Sequence, residues 1–135
     1  MPGEIAIAVV GAHMSGMPLN HELTERGARS LQATRTAVHY RLCALSGGPP
    51  FRPGLLRAAA GAAIDLEVWA LPAAGFGDFV ASIPAPLSIG KLTLEDSSEV
   101  SGFLVESLAT EDARDVTDFG GWRAYCARDT GPDEA

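Results

Sequence analysis

"EIAIAVVGAHMSG", residues 4–16, decides how the chain is read. Ile5, Ile7, Val9 and Val10 are separated by small residues, and the run stops at Gly11. A short β-branched run closed by a glycine turn marks a strand buried on both faces rather than a helix. Beyond it, His13, Ser15, Asn20 and His21 fall within nine positions. A plain connection between two elements needs only a few turn residues, so this density marks a candidate site.

Working outward from that strand, "NHELTERGARSLQATR" (20–35) places Leu19, Leu23, Ala28 and Leu31 at loosely helical spacing, with Gly27 weakening a helix. It reads as a partly helical or irregular segment. "AVHYRLCALS" (37–46) alternates Val38, Tyr40, Leu42 and Ala44 with His39, Arg41, Cys43 and Leu45, the period of a strand. "GGPPFRPG" (47–54) holds three prolines and three glycines and reads as a loop. "LLRAAA" (55–60) is too short between Gly54 and Gly61 for a stable helix and is taken as a strand. "AIDLEVWALP" (63–72) is a clear strand, with Ile64, Leu66, Val68 and Ala70 on one face and Asp65, Glu67 and Trp69 on the other.

"PAAGFGDFVASIP" (72–84) spaces Phe76, Phe79, Val80 and Ile83 as an amphipathic helix. "IGKLTLEDSSEVSGFLVES" (89–107) reads as a hairpin with a polar tip. Near the end, Thr117 or Asp118 is expected to cap a short helix that packs Trp122 and Tyr125. About six strands and two or three short helices give a single mixed α+β domain over 1–127, followed by a polar flexible tail at 128–135.

Composition narrows the function. The 135 residues are 47% hydrophobic, enough for a core without staples, and the formal charge is −7. That charge disfavours nucleic acid and anionic membranes as partners, so any anionic ligand must be held by local donors. Cys43 and Cys126 lie far apart without metal spacing and read as two buried reduced thiols of a cytoplasmic protein. No apolar run approaches the length of a membrane span. His21 and His39 lack partners at metal spacing, and neither a metal nor a cofactor is expected.

The turn itself is suited to anions. Gly11 and Gly16 let the backbone aim consecutive N–H groups of Ala12, His13, Met14 and Ser15 at one point. His13 adds a group that titrates near neutrality; Ser15 and Asn20 add neutral hydrogen bonds. A purely structural turn with a satisfied histidine stands beside this reading. Gly-x-Ser-x-Gly is absent, so the segment is not a serine-hydrolase elbow. "GGPPFRPG" lacks the Gly-Lys-Ser/Thr ending of a phosphate loop. Glu67 and Glu106 are expected to be exposed strand residues, and Arg114, Asp115, Asp118 and Arg123 to be caps and a surface ion pair.

Four blocks, "GAHMSGMPLNHELTERGA", "RLCAL", "FGDFVASIPAPLSIGKLTLEDSSEVSGFLVES" and "ARDVTDFGGWRAY", together resemble the C-terminal domain of allophanate hydrolase over roughly residues 6–126. That resemblance implies a gamma-glutamylcyclotransferase-like fold, a small mixed, partly closed β-barrel with short flanking helices. It implies urea or allophanate breakdown, in which an amidase releases ammonia and this domain decarboxylates the resulting N-carboxycarbamate. The chain carries no amidase signature, so the amidase is expected to be a separately encoded partner. Relatives that cyclise glutamyl groups use a glutamate in the segment that here reads "FVASIPAPLSIG"; it holds no acidic residue, which disfavours that chemistry.

The histidine of the family's Gly-x-His-x-Ser-Gly motif corresponds to His13, which is expected to be the proton donor. By the same analogy Gly11, Ala12, Met14, Ser15 and Gly16 hold one carboxylate of a small dicarboxylate-like anion. Asn20, Tyr40 and Arg41 orient the other, and a bend at Ser88 to Gly90 closes the wall. The rival expectation is a non-catalytic module that binds an amidase or a second copy of itself through apolar surface near Trp69, Phe76 or Trp122; a cyclotransferase-fold enzyme on another amine or amide is a third.

Overall fold

The computed structural model describes residues 3–128. Its elements are β1 (Glu4–Val9), α1 (His21–Thr24), β2 (Arg29–Arg35), β3 (Tyr40–Ala44), β4 (Pro53–Arg57), β5 (Asp65–Pro72), α2 (Ala73–Ser82), β6 (Leu87–Thr93), β7 (Glu99–Val105), β8 (Arg114–Asp115) and α3 (Trp122–Cys126). Short 3-10 turns cover Ser107–Thr110 and Thr117–Phe119. The expected tail falls almost wholly outside the described residues.

Strand β1 lies at the centre of a five-stranded sheet ordered β2-β5-β1-β7-β6. It runs antiparallel to β5 and parallel to β7. Neighbours on both edges and packing on both faces leave Ile7, Ala8 and Val9 with no exposure, as a small-residue β run requires. Only the first half is more open, with Ile5 partly exposed. A second sheet, β4-β3-β8, lies against the first. Gly54 of β4 makes that approach possible: a Cβ there would meet Val105 of β7 at 2.8 Å.

The sheet does not close into a barrel. Strands β2 and β6 are its outer strands, and the chain just beyond each meets at one isolated bridge, Thr36↔Leu94. Periodicity tells which face of a strand is buried, but not which edges find one another. Strand β2 is a second departure, since that segment was expected to be helical or irregular beyond Leu23. It pairs with β5, with a shift in register between Ser30 and Gln32, and nearly every residue is exposed. An exposed edge carries no apolar alternation to announce it. Its Leu31 faces solvent, while Gly27 at φ 82° ends the α1 turn.

The hairpin β6–β7 and helix α2 form as read, with Phe79 fully buried beneath α2. Two details near the end differ. Residue Gly121, not Thr117 or Asp118, precedes α3. The buried Thr117 hydroxyl instead accepts the Leu42 amide at 2.9 Å and ties the chain end to β3. Both cysteines are free, but only Cys43 is buried; Cys126 is exposed. Among the described residues no helix is long and apolar enough to cross a membrane.

Candidate functional site

Strand β1 delivers the turn at 11–20 to the end of the sheet, against the start of β4. Gly11 is needed there, because a Cβ would lie 2.3 Å from Pro53 Cδ. The carbonyls of Gly11 to Ser15 are all committed internally. Gly11 O accepts the Met14 amide, Ala12 O the Leu19 amide and Met14 O the Met17 amide. Asn20 Nδ2 donates to His13 O at 2.8 Å, and Arg123 donates to Ser15 O at 2.6 Å. The amides of Ala12 and His13, on residues at most 6% exposed, have no acceptor among the described residues. Buried backbone N–H groups without partners are rare. Both residues line a small cavity of about 20 Å³ with Val10, Arg52, Leu87 and Phe103.

His13 lies in the wall of that cavity, edge-on to Phe79 and stacked near Phe103. Its Nε2 meets Glu22 Oε1 at 2.7 Å, while Nδ1 makes no hydrogen bond among the described residues. Burial pushes the imidazole pKa below its ordinary value. Glu22 opposes that through its hydrogen bond and charge, and the charges of Arg52 and His21 reinforce it. A neutral ring that donates from Nε2 to Glu22 has an accepting Nδ1; protonation turns Nδ1 into a donor.

Arg52 was not anticipated. Half-buried, its guanidinium has no hydrogen bond or ion pair among the described residues. It also lines a larger cavity of about 310 Å³ together with Pro50, Pro84, Pro86, Leu87 and Asp112. The two cavities share Arg52 and Leu87 in their walls. The signal was available in "GGPPFRPG": a single arginine in a loop too rich in proline and glycine to be anything but a rigid surround.

The other expected site residues separate into two groups. Gly11, Ala12 and His13 line the small cavity. Ser15 does not contribute donors to it, because its amide and hydroxyl both donate to Glu67, each at 2.8 Å. The Met14 amide turns back to Gly11, and Gly16 at φ 77° only lets the turn close. Asn20 braces the turn through His13 O. The Tyr40 hydroxyl accepts from the Thr93 amide and from Arg57, at the far end of β3. Arg41 is paired with Asp115 at 2.6 Å. Ser88 and Gly90 lie within strand β6 and form no bend, although their neighbour Leu87 does line both cavities.

Glu67 reverses its expected role. It is buried and accepts from Ser15, from Trp69 Nε1 at 3.0 Å and from Arg123 at 3.2 Å. Burial pushes its carboxyl up, but the hydrogen bonds from Ser15, Trp69 and Arg123 outweigh that and hold it below its ordinary value. The turn thus does hold a carboxylate with Ser15, and it is the protein's own. Arg123, expected in a surface pair, clamps the same turn. A third, more open cavity holds Arg35, Asp65, Glu95 and Arg123, but its arginines are paired with Asp65 and Glu67. Among the described residues no three His, Cys, Asp or Glu side chains gather to hold a metal ion. Trp69 and Trp122 are buried and Phe76 is half-buried; among the described residues the exposed large apolar ones are Ile5, Leu31, Val38, Phe51, Leu108 and Phe119.

Comparison with known proteins gives this geometry a family context. Residues 5–127 match the model for the allophanate hydrolase C-terminal domain. Urea amidolyase of Saccharomyces cerevisiae is 40% identical over 126 residues, which cover 90% of this chain and 7% of that protein. The solved allophanate hydrolase of Kluyveromyces lactis superposes with a TM-score of 0.86 at 38% identity, over 90% of this chain and 21% of that one. A uropathogenic Escherichia coli-specific protein superposes with a TM-score of 0.86 at 38% identity, over 94% of this chain and 98% of its own. A mouse AIG2-like protein, 18% identical with a TM-score of 0.53, shares the fold alone. It agrees with a mixed α+β architecture of the gamma-glutamylcyclotransferase-like kind.

Proposed function

The chain belongs to the allophanate hydrolase C-terminal domain family, and from that premise we propose that it binds a small dicarboxylate-like anion at the end of β1 and decarboxylates it. One carboxylate approaches the Ala12 and His13 amides; the other lies against Arg52, which lines both cavities. The observation that carries this reading is the one-sided turn: carbonyls from Gly11 to Ser15 are used internally, while Ala12 and His13, whose amides have no acceptor among the described residues, line one cavity with Arg52, whose guanidinium has no partner among them. Such donors act strongly in a site shielded from water.

With N-carboxycarbamate as substrate, the C–N bond to the departing carboxyl breaks and its electron pair stays on nitrogen. The nitrogen takes a proton from the His13 imidazolium, leaving CO2 and carbamate, and His13 is neutral again. Glu22, hydrogen-bonded to Nε2, fixes the ring and favours its charged form. The negative charge of the bound anion does the same. The amidase that supplies this substrate is a separate domain or chain, in keeping with the small share of urea amidolyase that the match covers.

The test generates N-carboxycarbamate in place from allophanate with an amidase and follows CO2 release with and without this domain. Acceleration by the wild type, lost in His13→Ala and Arg52→Ala, is expected. No acceleration by the folded wild type over the amidase alone overturns the decarboxylase reading.

A further inference from the structure

The larger cavity is more than a small dianion needs, and its lining combines opposite charges with apolar residues. At about 310 Å³ it falls at the lower end of ligand-pocket sizes. Arg52 lines both this cavity and the small one. Leu45, Pro50, Pro84, Pro86 and Leu87 give it an apolar, rigid wall. Asp112, which lines the larger cavity alone, is exposed and makes no hydrogen bond or ion pair among the described residues. A cation and an anion that line one cleft with these apolar residues and do not pair with each other form a template for a ligand carrying both opposite charges.

Resting on the anion site described above, we propose that the cleft takes a linear zwitterion, a carboxylate head at Arg52 and the free amides with a protonated amine directed to Asp112 across a short aliphatic middle. The ligand class of this chain then includes ω-amino acids, longer than N-carboxycarbamate. Desolvation of the aliphatic middle against proline and leucine adds affinity that a short dianion does not gain. The amine adds selectivity more than strength, because Asp112 is exposed to solvent.

Calorimetric titration with 6-aminohexanoate, hexanoate and malonate tests this on the wild type, Asp112→Asn and Arg52→Ala. In the wild type 6-aminohexanoate is expected to bind about two- to fivefold tighter than hexanoate, the range of an exposed ion pair. Asp112→Asn is expected to erase that preference and leave hexanoate unchanged. Arg52→Ala is expected to weaken both by about tenfold or more, as for a lost hydrogen bond to a charged group. Equal binding of the two in the wild type, with hexanoate still dependent on Arg52, overturns the zwitterion proposal and leaves the anion site standing. Binding that is absent, or indifferent to Arg52→Ala, overturns both.

Discussion

Ser15 and Glu67 are joined twice, the Ser15 amide to Oε1 and its hydroxyl to Oε2, both at 2.8 Å. This double bond between the turn after β1 and the middle of β5 orients the whole segment. Arg123 on the Ser15 carbonyl holds the same turn, whose Ala12 and His13 line the small cavity. Glu67 is therefore a positioning residue.

Removing that carboxylate leaves the Ser15 amide, the Trp69 indole and part of Arg123 without acceptors. Glu67→Ala is expected to destabilise the domain by about 2–3 kcal/mol, and Ser15→Ala by about 1 kcal/mol. Urea denaturation measures both. A loss for Glu67→Ala no larger than the ~0.5 kcal/mol of an ordinary surface change contradicts the role.

The ring of His13 gives a pH dependence with a definite sign. Its free pKa is lowered by burial and by the charges of Arg52 and His21, with Glu22 opposing. An anion bound beside it raises the pKa, so between the two values binding takes up a proton and tightens as pH falls. Malonate affinity is expected to rise from pH 8 toward pH 5 and to level off below the free pKa; calorimetry in two buffers reads the proton. His13→Gln is expected to flatten the profile, and a flat wild-type profile removes His13 from the site. In the unliganded domain the lowered pKa contributes stability above about pH 6.5 that is lost as pH falls through the folded value.

At Gly11 the space is closed by a proline ring, with Pro53 Cδ and Cγ only 2.3 and 2.4 Å from where a Cβ would sit. A rigid ring cannot yield, so Gly11→Ala must displace the turn from β4. It is expected to lower stability by about 1–3 kcal/mol and to abolish malonate binding. An unchanged melting temperature contradicts this packing.

The two thiols differ in access. Burial raises both pKa values, that of Cys43 with help from Asp115. Exposure then decides the order, since Cys126 is open and Cys43 is covered. An aromatic disulfide reagent is expected to label one thiol quickly in the native domain and the second only on unfolding. Two equally fast thiols contradict the burial of Cys43.

Much of the fold was legible because its signals are local. The buried β1, the alternation through β3 and β5, the α2 spacing and the β6–β7 hairpin each announce themselves within ten residues or so. The exposed β2 does not, because an edge strand without a buried face has no pattern to show. His13 and its amides were legible from glycine spacing. Their neighbours were not: Glu22, Arg52, Glu67 and Arg123 reach the turn from four different segments, and only the pairing of β1 with β5 and the seating of β4 bring them there. Tyr40 and Arg41 failed for the converse reason. A polar residue near a site in an analogy has no address until the sheet fixes which end of a strand it occupies.

The most direct measurement maps malonate onto the backbone by amide NMR. The account predicts saturable shifts of the Ala12 and His13 N–H resonances, with Ser15 little changed because Glu67 already holds it, and loss of those shifts in Arg52→Ala. Shifts that leave Ala12 and His13 untouched, or that persist without Arg52, contradict an anion site at the end of β1.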